Sequence, residues 1–253
     1  MNWRFIDSGF NTGKFNMDFD LELVNDFVPD SPVLRVYRWK PYCISLGANQ
    51  NYNSININKS SIDALDIVKR PTGGRAILHA EELTYSVVHP VSDDSSPKQI
   101  YREINLALRK GLINYSSLFE TIELEHSQPN FPAFYQDSKS TLCFAVSARN
   151  ELNYKGKKVV GSAQRKIRNV ILQHGSILCG SYHKKIVGYL NLPSDKLEEI
   201  KIEIEQTTTE LETILVEKIN YERLAESIKK GFEDHFKVTF DEDKVKELFS
   251  QVN

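Results

Sequence analysis

Residues 70–88 read RPTGGRAILHAEELTYSVV, and the rest of the chain is organised around them. Just upstream, residues 65–69 (LDIVK) have the composition of a short strand. Residues 83–88 (LTYSVV) have that of another, both rich in β-branched and aromatic side chains. Between them stand an Arg-Pro, a Gly-Gly pair, a second arginine and His79. Gly73 and Gly74 can take positive φ and let a ligand approach the backbone, because no Cβ intervenes. Arg70 and Arg75 would place fixed positive charge on either side of that bare backbone. Such a loop suits a carboxyl, phosphate or acyl carbonyl group. The same residues also describe a glycine turn flanked by two solvated arginines, and for a Gly-Gly pair alone that is the simpler reading.

Composition narrows the class. With 253 residues, 40% hydrophobic and 26% charged, the chain has the make-up of an ordinary globular protein. One large domain over 1–253 is expected, becoming helical from about residue 195. A net charge of −2 gives no reason to expect nucleic acid or a membrane surface as partner. Cys43, Cys143 and Cys179 are too few and too scattered for a disulfide framework or a zinc site. The six histidines show no ligand spacing, so no metal is expected. No apolar run is long enough to span a bilayer and no signal peptide is visible, which makes the cytoplasm the default setting.

Outward from the central stretch, residues 3–6 read as a strand closed by Asp7-Ser8-Gly9. Met17, Leu21, Val24 and Val28 recur at helical spacing and predict a helix over 16–28, stopped by Pro29 and Pro32. Residues 33–39 and 43–46 read as strands joined by a turn at Lys40-Pro41, with Cys43 a core thiol. Ser95-Ser96-Pro97 is an N-cap with a first-turn proline. It opens a helix that should bury Ile100, Ile104, Ala107, Leu108 and Leu112. Residues 125–141 are turn-rich, and loops of that length are usually functional or mobile; their place before Cys143 suits a flap. The following hairpin carries Lys155, Lys157, Lys158, Arg165, Lys166 and Arg168 with no acidic residue between the first and the last. Helices are expected over 197–206 and 211–216, with Thr207-Thr208-Thr209-Glu210 as a cap between them. Asn220 should cap another helix, lined by Leu224, Ile228, Phe232 and Phe236. A last short helix would start at Asp241 or Asp243.

Arg-x-x-Gly-Gly-x-x-x-x-His after a strand resembles the signature loop of the biotin/lipoate protein ligase and octanoyltransferase superfamily. The longer string RPTGGRAILHxxELTYSVV is similar to one branch, the cysteine-dependent octanoyl-[acyl carrier protein]:protein N-octanoyltransferases of lipoate biosynthesis. Residues 156–177, GKKVVGSAQRKIRNVILQHGSI, match that branch too. A weaker match is the opening WRFIDSG with Asn16-Met17-Asp18. Together these cover most of residues 3–180. The resemblance implies an α+β fold with a mixed, largely antiparallel central sheet flanked by helices, as in the class II synthetase-like catalytic domains. It implies octanoyl transfer from acyl carrier protein to a lysine of a lipoyl-domain protein, such as the glycine cleavage H protein, with no cofactor. It also places residues 47–51 (GANQN), a Gly-x-x-Gln loop, near the acyl pocket.

The resemblance assigns roles. Cys143, in TLCFAVSARNEL, would be the nucleophile; a lone cysteine in an apolar stretch is otherwise a buried small hydrophobe, and only its aligned neighbourhood reverses that. A nearby ammonium would depress its pKa. Lys158-Val159-Val160-Gly161 fits the K-x-x-G pattern whose lysine points at the acyl carbonyl, and Lys157 should face the other way. Arg70, Gly73, Gly74, Arg75, His79 and Gly161 would bind substrate. His79 and His174 stay open: each could orient the loop, act as a base or serve as a structural hydrogen-bonding group. The basic cluster could dock acidic carrier and lipoyl domains or be a solvated face.

Three other functions compete. An ATP-dependent lipoate–protein ligase would need no cysteine; Arg75 at a glycine position, Cys143 and the lack of a following accessory domain speak against it. An amidotransferase between lipoyl domains would use the same Cys–Lys chemistry. A non-catalytic acyl-carrier-binding module would need no nucleophile beside Lys158.

Overall fold

The computed structural model describes residues 2–91, 95–125 and 150–241. Its strands are β1 (Trp3–Asn11), β2 (Val33–Trp39), β3 (Cys43–Leu46), β4 (Asp66–Lys69), β5 (Ile77–His79), β6 (Glu82–Pro90), β7 (Ile122–Leu124), β8 (Leu152–Tyr154), β9 (Lys157–Ile167), β10 (Val170–Leu178) and β11 (Phe240–Asp241). Its helices are α1 (Gly13–Asn25), α2 (Ile57–Ile62), α3 (Pro97–Tyr115), α4 (Ser194–Thr207), α5 (Leu211–Leu215) and α6 (Tyr221–Phe236).

Among the described residues, eight strands form the central sheet in the order β11-β1-β2-β6-β10-β9-β8-β7. Only β11-β1 and β1-β2 run parallel; the other neighbours are antiparallel. The expected mixed, largely antiparallel sheet with flanking helices is what forms. A second sheet, β4-β3-β5, holds the strand before the glycine loop and a short strand within the central stretch that the sequence reading did not anticipate.

Successive side chains on a strand point to opposite faces, and β6 shows what each face is for. Leu83, Tyr85 and Val87 join Ile104 and Leu108 of α3 and Ile228 and Phe232 of α6 in the main core. Glu82, Thr84 and Ser86 alternate with them and point the other way, yet are also buried. On that second face α1 packs Phe19, Leu23 and Val24 against Ile6, Val33, Val88 and Leu172. α3 starts as its sequence predicts, with Ser96 as N-cap and Pro97 in the first turn, and the five expected apolar residues are buried; Gln99 adds a reciprocal capping box. Asn220 caps α6 by accepting from the Arg223 N–H.

Some boundaries differ for identifiable reasons. β1 continues past Ile6 to Asn11, and Asp7-Ser8-Gly9 is a register shift within it rather than its end. α1 begins earlier because the Thr12 hydroxyl caps it at Phe15 N. Its buried side includes Asn16 and Asp20, whereas Leu21 and Val28 are exposed. An apolar-only pattern misplaces that side, since two of its members are polar. The Thr207 and Thr208 hydroxyls close α4 on the Glu203 and Ile204 carbonyls instead of capping α5, whose N-cap is Glu210. Asp241 ends β11, and Asp243 lies outside the described residues. Among the described residues no helix is long and apolar enough to cross a membrane, and no cluster of His, Cys, Asp and Glu could hold a metal.

A candidate active site in a slot beneath the glycine loop

Gly74 adopts φ 94°, a conformation that L side chains rarely take. Gly73 does not need the same freedom: its φ is not positive, and a Cβ there would meet nothing within 4 Å. The tight contact falls on Gly47, where a Cβ would stand 2.0 Å from the Gly74 carbonyl oxygen. Residues 47–50 therefore lie against the glycine loop. The Ala48 N–H donates to Thr72 O, and Gln50 Oε1 accepts from Gly47 N at 3.1 Å.

Arg70 differs from its sequence reading. It is 4% exposed, and its guanidinium donates to the carbonyls of Gly73, Arg75 and Ser45 and to the Ser45 hydroxyl. Glycines offer only their backbone to hold, and Arg70 gathers the loop's carbonyls from inside. It is a brace, not a charge beside bare backbone. Gly73 and Gly74 are exposed on the loop and Arg75 is half-buried.

Beneath the loop lies a narrow slot between two walls. One wall is the second face of the central sheet, with Tyr37 and Trp39 from β2, Thr84 from β6, His174 and Ser176 from β10, and Gly161 from β9. The other wall is Met17 of α1 and Ser45, Arg70, Ile77 and His79.

Two buried histidines tie these walls together. His174 bonds Asp20 through Nδ1 at 3.0 Å and Thr72 of the loop through Nε2 at 2.7 Å. Asp20 also pairs with Arg35 at 2.8 Å, both fully buried. Burial lowers the pKa of His174, and Asp20 offsets only part of that, so the imidazole is neutral, donating to Asp20 and accepting from Thr72. Burial pushes Asp20 up, but the bond from His174 and the Arg35 charge outweigh it and hold the carboxyl below its ordinary value. His79 stacks on Trp39, centroids 4.2 Å apart. It bonds Ser45 Oγ through Nε2 at 2.7 Å and Glu82 Oε1 through Nδ1 at 2.8 Å. Burial likewise pushes Glu82 up, but His79 and the hydroxyls of Thr84 and Ser176 hold it below the usual range. Both histidines thus have hydrogen-bond partners that orient the loop and its support.

Lys158 is 1% exposed and pairs with Glu151 at 2.9 Å. Register places both. Leu152 pairs with Val160, and Asn153 pairs with Lys158, so Val159 is an extra residue, a β-bulge. Leu152, Val159 and Val160 all join the main core. Asn153 and its partner Lys158 therefore face the slot side, as does Gly161. Without the bulge, alternation would turn Lys158 toward α3. Lys157 behaves as expected: its ammonium reaches outward to the Glu205 carbonyl. Glu151 also accepts from the Ser162 N–H at 3.2 Å, which ties Lys158 to the strand segment that ends the slot.

Arg70, His79 and Gly161 therefore line the slot; Lys158 lies on the same side of β9 as Gly161, and Gly73, Gly74 and Arg75 form the outer loop. Cys143 and residues 126–141 of the expected flap lie outside the described residues. Cys43 is a core thiol whose pKa burial pushes up. Glu151, Glu82 and Asp20 were missed. Nothing in the sequence singles them out: Glu82 follows Glu81, Glu151 stands between Asn150 and Leu152, and Asp20 has Asp18 and Glu22 two residues away on either side.

Residues 12–233 match the lipoyl protein ligase A/B catalytic domain. Octanoyltransferase LipM of Bacillus subtilis is 33% identical over 245 residues, covering 91% of this chain and 85% of that protein. Octanoyltransferase LipM of Staphylococcus aureus is 34% identical over 241 residues with the same coverage. The bipartite lipoate protein ligase of Thermoplasma acidophilum superposes with a TM-score of 0.75 at 18% identity, covering 99% of this chain and 92% of that one. A lipoate-protein ligase A bound with ATP gives 0.74 at 19% identity, covering 99% and 95%. The slot, its glycine loop and the match along most of the chain lead to one assignment: this chain belongs to the lipoyl protein ligase A/B catalytic-domain family and is an acyl-transferring enzyme.

Proposed function

We propose that the protein transfers an octanoyl group from acyl carrier protein to a lysine of a lipoyl-domain protein, such as the glycine cleavage H protein, through an acyl-enzyme on Cys143. The observation that carries this reading is the match, at about a third identity over nine-tenths of the chain, to proteins named octanoyltransferase. The run of the slot's lining across the sheet supports it. From β9 to β2 it crosses three strand spacings, roughly 14 Å at ~4.8 Å each. An octanoyl chain, with seven bonds at backbone-like extension, spans about 8 Å.

In the first step the Cys143 thiolate attacks the thioester carbonyl. The new C–S bond forms, the bond to the carrier's sulfur breaks, and the departing thiolate takes up the proton that Cys143 released. In the second step the neutral acceptor amine attacks, the amide C–N bond forms, and the amine's proton passes to the Cys143 sulfur as it leaves. The ammonium of Lys158, on the slot side of β9, stabilises the oxyanion in both steps.

Intact-mass spectrometry after incubation with octanoyl carrier protein, without ATP, tests this. One octanoyl group should appear, removable by hydroxylamine and mapped to Cys143. Cys143→Ala should abolish adduct and transfer, whereas Cys43→Ala and Cys179→Ala should retain them. Lys158→Ala should slow acylation by about 10²–10³, with little effect of Lys157→Ala. Full transfer by Cys143→Ala, or a strict ATP requirement with the free acid as substrate, would move the assignment to a ligase.

A further inference from the structure

We propose that Glu151 is the positioning residue that aims Lys158 at the reacting carbonyl; the assignment rests on the transferase reading above. Its carboxylate divides its two oxygens. Oε2 takes the Lys158 ammonium at 2.9 Å, and Oε1 takes the backbone N–H of Ser162 at 3.2 Å. Ser162 follows Gly161, and both line the slot at its β9 end. Glu151 thus measures the position of the ammonium against the backbone that bounds the slot. The side chain of Lys158 has a long flexible stem with many rotamers, and an anchor at its tip removes that freedom before substrate arrives.

Two features point to aiming rather than to support of the fold. A buried ion pair is weak grounds for stability, because apolar residues of similar size often serve as well or better. Here both partners are nearly inaccessible, at 1% and 5% side-chain exposure. The second feature is chemical. Only a carboxylate offers an acceptor to each of two donors; a glutamine would turn its NH₂ toward one of them. Aspartate keeps both acceptors but is a methylene shorter.

The test measures the rate of acyl-enzyme formation with octanoyl carrier protein for wild type, Glu151→Gln, Glu151→Asp, Lys158→Met and the double variant Glu151→Gln/Lys158→Met. Glu151→Gln should lower the rate at saturating donor by about 10²-fold, as expected for a displaced catalytic group, with an unchanged half-saturating concentration. Glu151→Asp should recover part of that loss. In the Lys158→Met background, Glu151→Gln should have no further effect, since its influence passes through the lysine. A wild-type rate in Glu151→Gln, or equal slowing in both backgrounds, overturns the proposal. If Glu151→Gln does not fold, Lys158→Met and the double variant still decide, since a slower double variant overturns it. A wild-type protein that forms no acyl-enzyme overturns the transferase reading, and this assignment with it.

Discussion

The two faces of the central sheet are built from the same strands and buried to the same depth, yet they differ in kind. Toward α3 and α6 the sheet presents Leu83, Val87, Ile171 and Ile177, and the polar groups among them, Gln173, Ser162, Asn105 and the Tyr85 hydroxyl, are uncharged and bonded to one another. Toward the glycine loop, alternate residues of the same strands are Glu82, Thr84, His174 and Ser176, with Arg35 and Lys158 beside them. Apolar burial is favourable without direction, so any well-shaped residue serves the first face. Buried polar and charged groups are costly unless every one is bonded. The concentration of charged groups on one face marks where geometry matters more than stability.

The largest contrast should come from one substitution on each face. Asp20→Asn leaves Arg35 buried without its counter-charge, which costs about 3–5 kcal/mol of stability. It also frees His174 from one partner and loosens the hold on Thr72, so acyl-enzyme formation should fall as well. Leu108→Ala on the α3 face, where Leu108 is fully buried, should cost about 2–5 kcal/mol and leave the acylation rate of the folded protein unchanged. Urea unfolding and single-turnover acylation of both variants decide it. Equal kinetic damage from Leu108→Ala would show that the two faces are not functionally distinct.

A smaller contrast separates two glycines at the loop. Gly47→Ala forces a Cβ against the Gly74 carbonyl and should cost about 1–3 kcal/mol through local repacking. Gly73→Ala enters open space and should change stability by no more than ~0.5 kcal/mol. Any activity lost in Gly73→Ala would therefore report on the approach of substrate to the loop. A large stability loss in Gly73→Ala would show the loop to be packed more closely than this.

The smallest effect concerns pH. Burial lowers the pKa of His174 and of His183. The unfolded chain therefore binds protons that the fold excludes, and stability present near neutrality is lost as pH falls below about 6.5. Asp20 and Glu82 continue the same trend: both are held below their ordinary values. Their contribution is full above about pH 4.5 and disappears as they protonate. The urea midpoint should decline between pH 7 and 5, and His174→Gln should flatten part of that decline. A midpoint that rose on acidification would contradict the assignment of a neutral, buried His174.

Much was legible in the chain itself. The N-cap at Ser96 with its first-turn proline, the five-residue apolar stripe of α3, the Asn220 cap and the strands on either side of the glycine loop are local, and near neighbours in sequence determine them. So was the family, because its motifs are contiguous strings. What the tertiary structure decided is which residues share a face and what a charge does there. Arg70 looks like a ligand-facing cation in sequence and is a brace in the fold, because its carbonyl acceptors come from Ser45, Gly73 and Arg75. Lys158 looks like one of several hairpin lysines. A single extra residue at Val159 turns it to the slot side, where Glu151 holds it. Hydrophobic periodicity counts residues along one element. Buried charge is settled between elements far apart in the chain, as Asp20 with His174 and Thr72 with His174 show.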